Sequence, residues 1–193
     1  MENAQLVSDV ERLSESLGQL PEPVAEPALI VVSGLPGTGK TYFCNRLAER
    51  LPSVVLESDV LRKTLFSPPV YSAKESSQLF RAIHRLIEKL LAKGIPLILD
   101  ATNLSERNRE YLYSIADRLD VKLVLVRVEA PPEIVRQRLE ARREKPENNS
   151  DADWAIYRRM KYSVQRIRRN HYAVDTSRDI TPVLDKIVKE VTR

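Results

Sequence analysis

The chain has a single cysteine, Cys44, in 193 residues. An internal disulfide is therefore excluded, and so is any thiolate metal cluster. Cys44 lies four residues after Lys40 in a helical stretch, where packing is the expected role. Two histidines, His84 and His171, leave no zinc-ligand spacing and no Ser-His-Asp set. No run approaches 18 consecutive apolar residues, so no membrane-spanning helix is expected. The first residues do not pair a basic segment with an apolar run, so no signal peptide is expected. A reduced, cytoplasmic compartment follows as the expectation. Internal repeats and low-complexity tracts are absent. Charge is nearly balanced, 31 Lys and Arg against 27 Asp and Glu, for a net +4. The resulting pI of about 9.2 leans toward anionic partners. ATP alone would satisfy that preference, so it does not by itself argue for nucleic acid.

Glycine is scarce too, five in all, yet three of them fall between Gly34 and Gly39. The apolar run Ala28–Ser33 before them reads as a buried parallel strand, and Tyr42–Leu51 after them as a helix. Between the two lies GLPGTGKT, which fits the phosphate-binding pattern G-x-x-x-x-G-K-[ST], the Walker A loop, in the strand-loop-helix setting it requires. Glycines let the backbone turn its N–H groups inward as an anion nest at a helix N-terminus. The loop residues Gly34, Leu35, Pro36, Gly37, Thr38, Gly39, Lys40 and Thr41, with Tyr42 after them, are thus the expected ATP contacts. Lys40 would place a point charge between the β- and γ-phosphates, and the Thr41 hydroxyl is a candidate Mg²⁺ ligand.

Residues 3–20 carry Leu6, Val10, Leu13, Leu17 and Leu20 at helical spacing, followed by a stiff linker holding Pro21, Pro23 and Pro27. Residues 1–27 are therefore expected as an appendage to a domain over 28–193. The helix is expected to pack on that domain. The alternative is pairing with a second copy, as a homodimer, or with another protein, since a lone short helix is marginal in water. Further strands are expected over 53–57, 95–99, 121–128 and 172–175, and helices over 73–93, 105–119, 132–143, 154–169 and 180–191. Residues 63–72 read as a loop and 145–153 as a polar connector. His84 is expected on the solvated face of its helix, and Ile156, Met160, Val164 and Ile167 on an inward face of theirs. Alternating strands and helices argue for an α/β fold with a parallel sheet covered on both faces. Ligands in such sheets sit beyond the C-terminal strand ends, which puts the phosphate loop, Asp59 and Asp100 on one rim.

With GLPGTGKT, SDVLR, DATN, RLEAR and VDTS in place, residues 28–193 resemble the P-loop kinases of the polynucleotide-kinase and zeta-toxin group, to which small-molecule kinases are close. The resemblance implies a P-loop NTPase three-layer sandwich, a five-stranded parallel sheet in the order 2-3-1-4-5, and a helical lid over about 136–153. ATP and Mg²⁺ are the implied cofactors. Phosphoryl transfer to a hydroxyl needs that oxygen held in line and its proton accepted late. Asp59, at the tip of the second strand, suits the general base, with a helix N-cap as its alternative. Arg62, one turn on, matches the arginine that grips the acceptor phosphate in polynucleotide kinases, or else pairs with Asp59. Asp100 is placed to orient Mg²⁺ or to hold Lys40 or Thr41, unless it is only a turn residue. Asn103 and Arg109 are candidate substrate contacts, Arg109 by resemblance and with a solvated charge as its alternative. Arg138 and Arg142 share a helical face, and the resemblance makes them lid arginines that close on the phosphates, Arg142 with a catalytic part. An exposed charged helix is the bland reading of both. The same resemblance implies that Asp175-Thr176-Ser177, after the fifth strand, passes near the adenine.

The expected activity is transfer of the ATP γ-phosphoryl to a hydroxyl, with a polynucleotide 5′-OH or another anionic acceptor in front. Residues 127–169 hold 12 Lys or Arg against 7 Asp or Glu, so nucleic acid is a candidate partner, beside a plain lid and solvated helix face. A small-molecule kinase for a sugar, nucleotide-sugar or antibiotic is the alternative, and a non-kinase ATP-binding switch is another.

Overall fold

The computed structural model describes residues 2–143 and 152–192. Five strands form one parallel sheet: β1 (Ala28–Ser33), β2 (Val54–Glu57), β3 (Leu97–Asp100), β4 (Lys122–Glu129) and β5 (Tyr172–Asp175), in the order β2-β3-β1-β4-β5. The expected order thus holds. The helices are α1 (Glu2–Glu15), α2 (Lys40–Ala48), α3 (Ser58–Leu65), α4 (Ala73–Leu91), α5 (Glu106–Leu119), α6 (Pro132–Arg143), α7 (Trp154–Met160) and α8 (Thr181–Val191).

The sheet is central because its apolar residues bury both faces. Along β1, Leu29 and Val31 join α1, α3, α4 and α5 in one core. Ile30 and Val32 face the other way, onto α2 and α8. Side chains alternate with a period of two, so a continuous apolar strand fills two layers at once. A smaller cluster of Val135, Leu139 and Tyr157, with Leu35 and Trp154 against it, seats α6 and α7 on the loop after β1. The register pairs Val32 and Glu57 with Asp100, Ser33 with Arg127, and Glu129 with Asp175, so the C-terminal strand ends form one rim.

Helix ends follow local chemistry. The Ser72, Ser105 and Asp153 side chains each accept the N–H of the residue three on, closing the first turns of α4, α5 and α7. The N-terminal helix packs on α3 and α4 and buries Val10 and Leu13 in their core. It stops at Glu15, short of the expected residue 20. Its linker is pinned where Val24 N–H donates to Gly94 O at 2.8 Å.

Three expectations are corrected. Residues 58–65 are helical, so the expected loop begins later; Leu61 and Leu65, one turn apart, bury that helix. The helix from Trp154 ends at Met160 and gives way to a 3₁₀ turn over Lys161–Ser163 and extended chain. Val164 is accordingly exposed, while Ile167 is buried. His84 is half-buried rather than fully solvated. Tyr111 of α5 stacks on it at 5.4 Å and Phe80 lies at 6.3 Å, and burial lowers its pKa to about 4. The expected connector at 145–153 lies, apart from its last two residues, outside the described residues.

Candidate active site

The loop between β1 and α2 is built by close approach. Gly39 has φ +91°, a left-handed conformation that side chains avoid, and caps the N-terminus of α2. A Cβ on Gly34 would stand 2.4 Å from the carbonyl oxygen of Val128, so the β4 backbone can pass only a glycine there. Thr38 Oγ1 donates to Leu35 O at 2.8 Å, and Lys40 Nζ donates to the same oxygen at 3.2 Å. The loop is tied to the far rim as well. Thr176 Oγ1 donates to Thr38 O at 2.5 Å, and Arg138 donates to Thr176 Oγ1 at 2.8 Å and to Thr176 O at 3.0 Å. Arg138 thus joins α6 to the turn after β5.

In front of the loop lies a cavity of about 340 Å³. Pro36, Gly37, Gly39, Lys40 and Thr41 form its floor, and Asp100 and Thr102 reach it from the end of β3. Glu57, Ser58, Asp59 and Arg62 come from β2 and α3, and Tyr71 and Phe80 add an aromatic wall. Arg142 of α6 and Ile156, Arg159 and Met160 of α7 close it from above. Asp100, only 5% exposed, accepts a 2.5 Å hydrogen bond from Thr41 Oγ1. Burial raises the Asp100 pKa, against Lys40 and the Thr41 hydrogen bond, which pull it down. Burial likewise lowers the Lys40 pKa, opposed by Asp100 and Asp59. Glu57 is pushed up by burial, then by Asp100 and Asp59. The cavity therefore gathers three carboxylates, one lysine and three arginines, Arg62, Arg142 and Arg159.

Of the residues singled out from the sequence, Lys40, Thr41, Asp59, Arg62, Asp100 and Arg142 meet in this cavity. Arg62 does not pair with Asp59. It is 7% exposed and donates to Glu75 Oε1 at 2.6 Å and to Ser76 Oγ at 3.3 Å, under the Tyr71 ring at 4.9 Å. Asn103 and Arg109 lie elsewhere. Both line a second cavity of about 250 Å³, shared with Gly34, Leu35 and Thr38. Arg109, 1% exposed, is not a solvated charge either. It donates to Glu106 Oε2, Asn103 O, Gln165 O and Arg166 O, between 2.6 and 3.0 Å. It clamps the chain after α7 onto α5. Arg138 is held by Thr176 and does not line the main cavity. Tyr42 is 55% exposed. Sequence reading missed Glu57, Tyr71, Phe80, Glu75 and Arg159. The one available signal was the position of Glu57 as the last residue of a rim strand.

A family model described as an AAA domain matches residues 29–167, well over half of the chain. The L-seryl-tRNA(Sec) kinase of Methanococcus maripaludis is 27% identical over 115 residues, 57% of this chain but 44% of that protein, so the match spans less than half of the relative. Chaetomium thermophilum Kti12, solved with ADP-AlF3, superposes with a TM-score of 0.67 at 20% identity, over 84% of this chain and 98% of that one. The Mycobacterium tuberculosis APS kinase CysC, solved with AMPPNP and APS, gives 0.62 at 16% identity, over 89% of this chain and all of that one. At such identities the two structures establish the shared fold. No helix among the described residues is long and apolar enough to cross a membrane. The chain belongs to the AAA domain family and carries its phosphate-binding loop in the fold it shares with the APS kinase.

Proposed function

We propose that the chain transfers the γ-phosphoryl of ATP to a hydroxyl on an anionic acceptor. The observation that carries the reading is that Asp59 lines one cavity together with Lys40, Thr41 and Asp100. Phosphates bind the loop N–H groups and Lys40, and the acceptor hydroxyl sits between them and Asp59. The acceptor oxygen forms its bond to the γ-phosphorus as the bond to the β-γ bridging oxygen breaks. Asp59 takes the hydroxyl proton, and ADP leaves with the electron pair. Arg142 faces the transferred group and balances its charge.

The oxygen donors Thr41 and Asp100 fit Mg²⁺, which commonly takes one or two carboxylates and completes its shell with water and substrate phosphate. When bound, such an ion neutralises phosphate charge. Among the described residues no group of three or more His, Cys, Asp or Glu is arranged to hold a metal ion.

Support for an anionic acceptor, nucleic acid included, comes from residues 154–174, which contain no Asp or Glu and carry Arg158, Arg159, Lys161, Arg166, Arg168 and Arg169. Arg159 of this stretch lines the cavity. The Methanococcus maripaludis relative, named an L-seryl-tRNA(Sec) kinase, leans the same way. A second reading, a compact small-molecule acceptor, is favoured by Arg62. Its charge is already matched by Glu75, and Tyr71 and Phe80 offer a flat apolar wall.

The test is a screen with γ-labelled ATP over oligonucleotides, tRNA, sugars, nucleosides and antibiotics, repeated at rising salt. A polyanionic acceptor loses affinity steeply with salt and a small one does not. Labelling of none of them would refute the kinase reading.

A further inference from the structure

The N-terminal helix lies outside the matched family region, yet it touches the wall of the cavity that carries Asp59 and Arg62. We infer that α1 is a brace for α3 and that Arg12 is a positioning residue for the transfer reaction. The inference rests on the proposed role of Asp59.

Helix α3 needs outside support. It has eight residues, begins directly after β2, and its N-cap Glu57 makes no side-chain cap hydrogen bond. A helix of that length is not stable alone. Its last carbonyls have no partners further along the helix, and the negative end of its dipole lies there. Arg12 supplies both needs. Its Nη2 donates to Thr64 O at 2.7 Å and to Leu65 O at 3.4 Å. Beneath, Val10 and Leu13 share a core with Leu61 and Leu65. The brace is itself fixed to α4. Buried Asp9 accepts Gln78 Nε2 at 2.7 Å and Gln5 Nε2 at 2.8 Å. Helix α4 in turn carries Glu75, which holds Arg62.

Asp59 and Arg62 sit one turn apart on α3 and both line the cavity, whereas Leu61 and Leu65 bury in the core toward α1. Any shift of α3 against α1 moves the acceptor side of the cavity. It leaves the phosphate loop, on α2 and β1, in place. A displacement of about 1 Å at a reacting group is enough to cost about two orders of magnitude in rate.

The test compares wild type, Arg12→Ala and Arg12→Lys in the full chain. Three quantities are read: hydrogen exchange of amides 62–66, the dissociation constant for ATP, and phosphate release from MgATP with water as acceptor. In Arg12→Ala the 62–66 amides should exchange about tenfold faster and kcat should fall about tenfold, with ATP affinity and the KM for ATP within about twofold. Arg12→Lys keeps a charged donor and should recover most of both losses. Unchanged exchange would overturn the brace. Raised exchange with unchanged kcat would overturn the positioning role. ATP affinity lost in step with kcat would show general destabilisation instead. Absence of phosphate release in wild type would count against the transfer reading, and the exchange result would still decide the brace. If Arg12→Ala does not fold, Arg12→Lys and Arg12→Gln carry the same comparison.

Discussion

Replacing Arg109 separates its two readings, a substrate contact and a clamp. The side chain is fully buried and holds three backbone carbonyls, Asn103, Gln165 and Arg166, and the Glu106 carboxylate. Arg109→Ala removes every one of those donors together. A buried acceptor left without a partner costs about 1–3 kcal/mol, whereas the Glu106 carboxylate, 23% exposed, can rehydrate once its partner is gone. Relaxation and water entry offset part of this, so a net loss of about 3–5 kcal/mol is expected. For a chain of this size each kcal/mol lowers Tm by roughly 2–4 °C, so a drop of about 6–20 °C should appear by calorimetry or circular dichroism. Arg109→Lys should recover only part, because an ammonium cannot reach all these acceptors in one plane. The segment after α7 should also become sensitive to protease. A wild-type Tm in Arg109→Ala, with a raised acceptor KM, would refute the clamp and restore Arg109 as a substrate contact.

Gly34→Ala should fail to fold or lose several degrees of Tm, because its Cβ would meet the Val128 carbonyl at 2.4 Å; a normal melt would contradict the close approach. His84 gives a pH dependence. Its folded pKa, about 4, lies below the unfolded value near 6.5, so the unfolded chain binds the extra proton between them. Stability should therefore fall as pH drops from about 6.5 to about 4, by no more than ~3 kcal/mol, and urea titrations of His84→Phe should lose that part of the slope. Lys40→Ala should weaken ATP binding and abolish transfer, read by titration and labelled ATP; intact affinity and turnover would refute the loop assignment.

What the sequence revealed follows from how local each cause is. The phosphate loop is one contiguous stretch whose glycines, lysine and threonine each have a fixed task, so Lys40 and Thr41 could be named from it. The sheet showed itself through apolar runs that bury both faces, and the rim rule then brought Asp59 and Asp100 together across 41 positions. Partner choice was hidden. Arg62 pairs with Glu75 and not with Asp59, three residues away, because α4 folds back over α3. Helical spacing at Ile156, Met160, Val164 and Ile167 suggested a long helix. Instead Gln165 N–H donates to Leu104 O at 2.9 Å, and Arg109 takes the Gln165 and Arg166 carbonyls, which draws that stretch into extended chain. His84 looked solvated on its own helix, because the ring that covers it, Tyr111, belongs to α5.

The central claim is that Asp59 serves the acceptor while the loop holds the nucleotide. Asp59→Asn keeps the shape and removes the base, so the direct measurement is ATP affinity by titration alongside transfer of label from γ-labelled ATP to the acceptor found by the screen. The account predicts ATP affinity within about twofold of wild type and transfer reduced at least about 100-fold, the usual scale for a general base. Transfer near the wild-type rate would contradict it and leave Asp59 as no more than the first turn of α3.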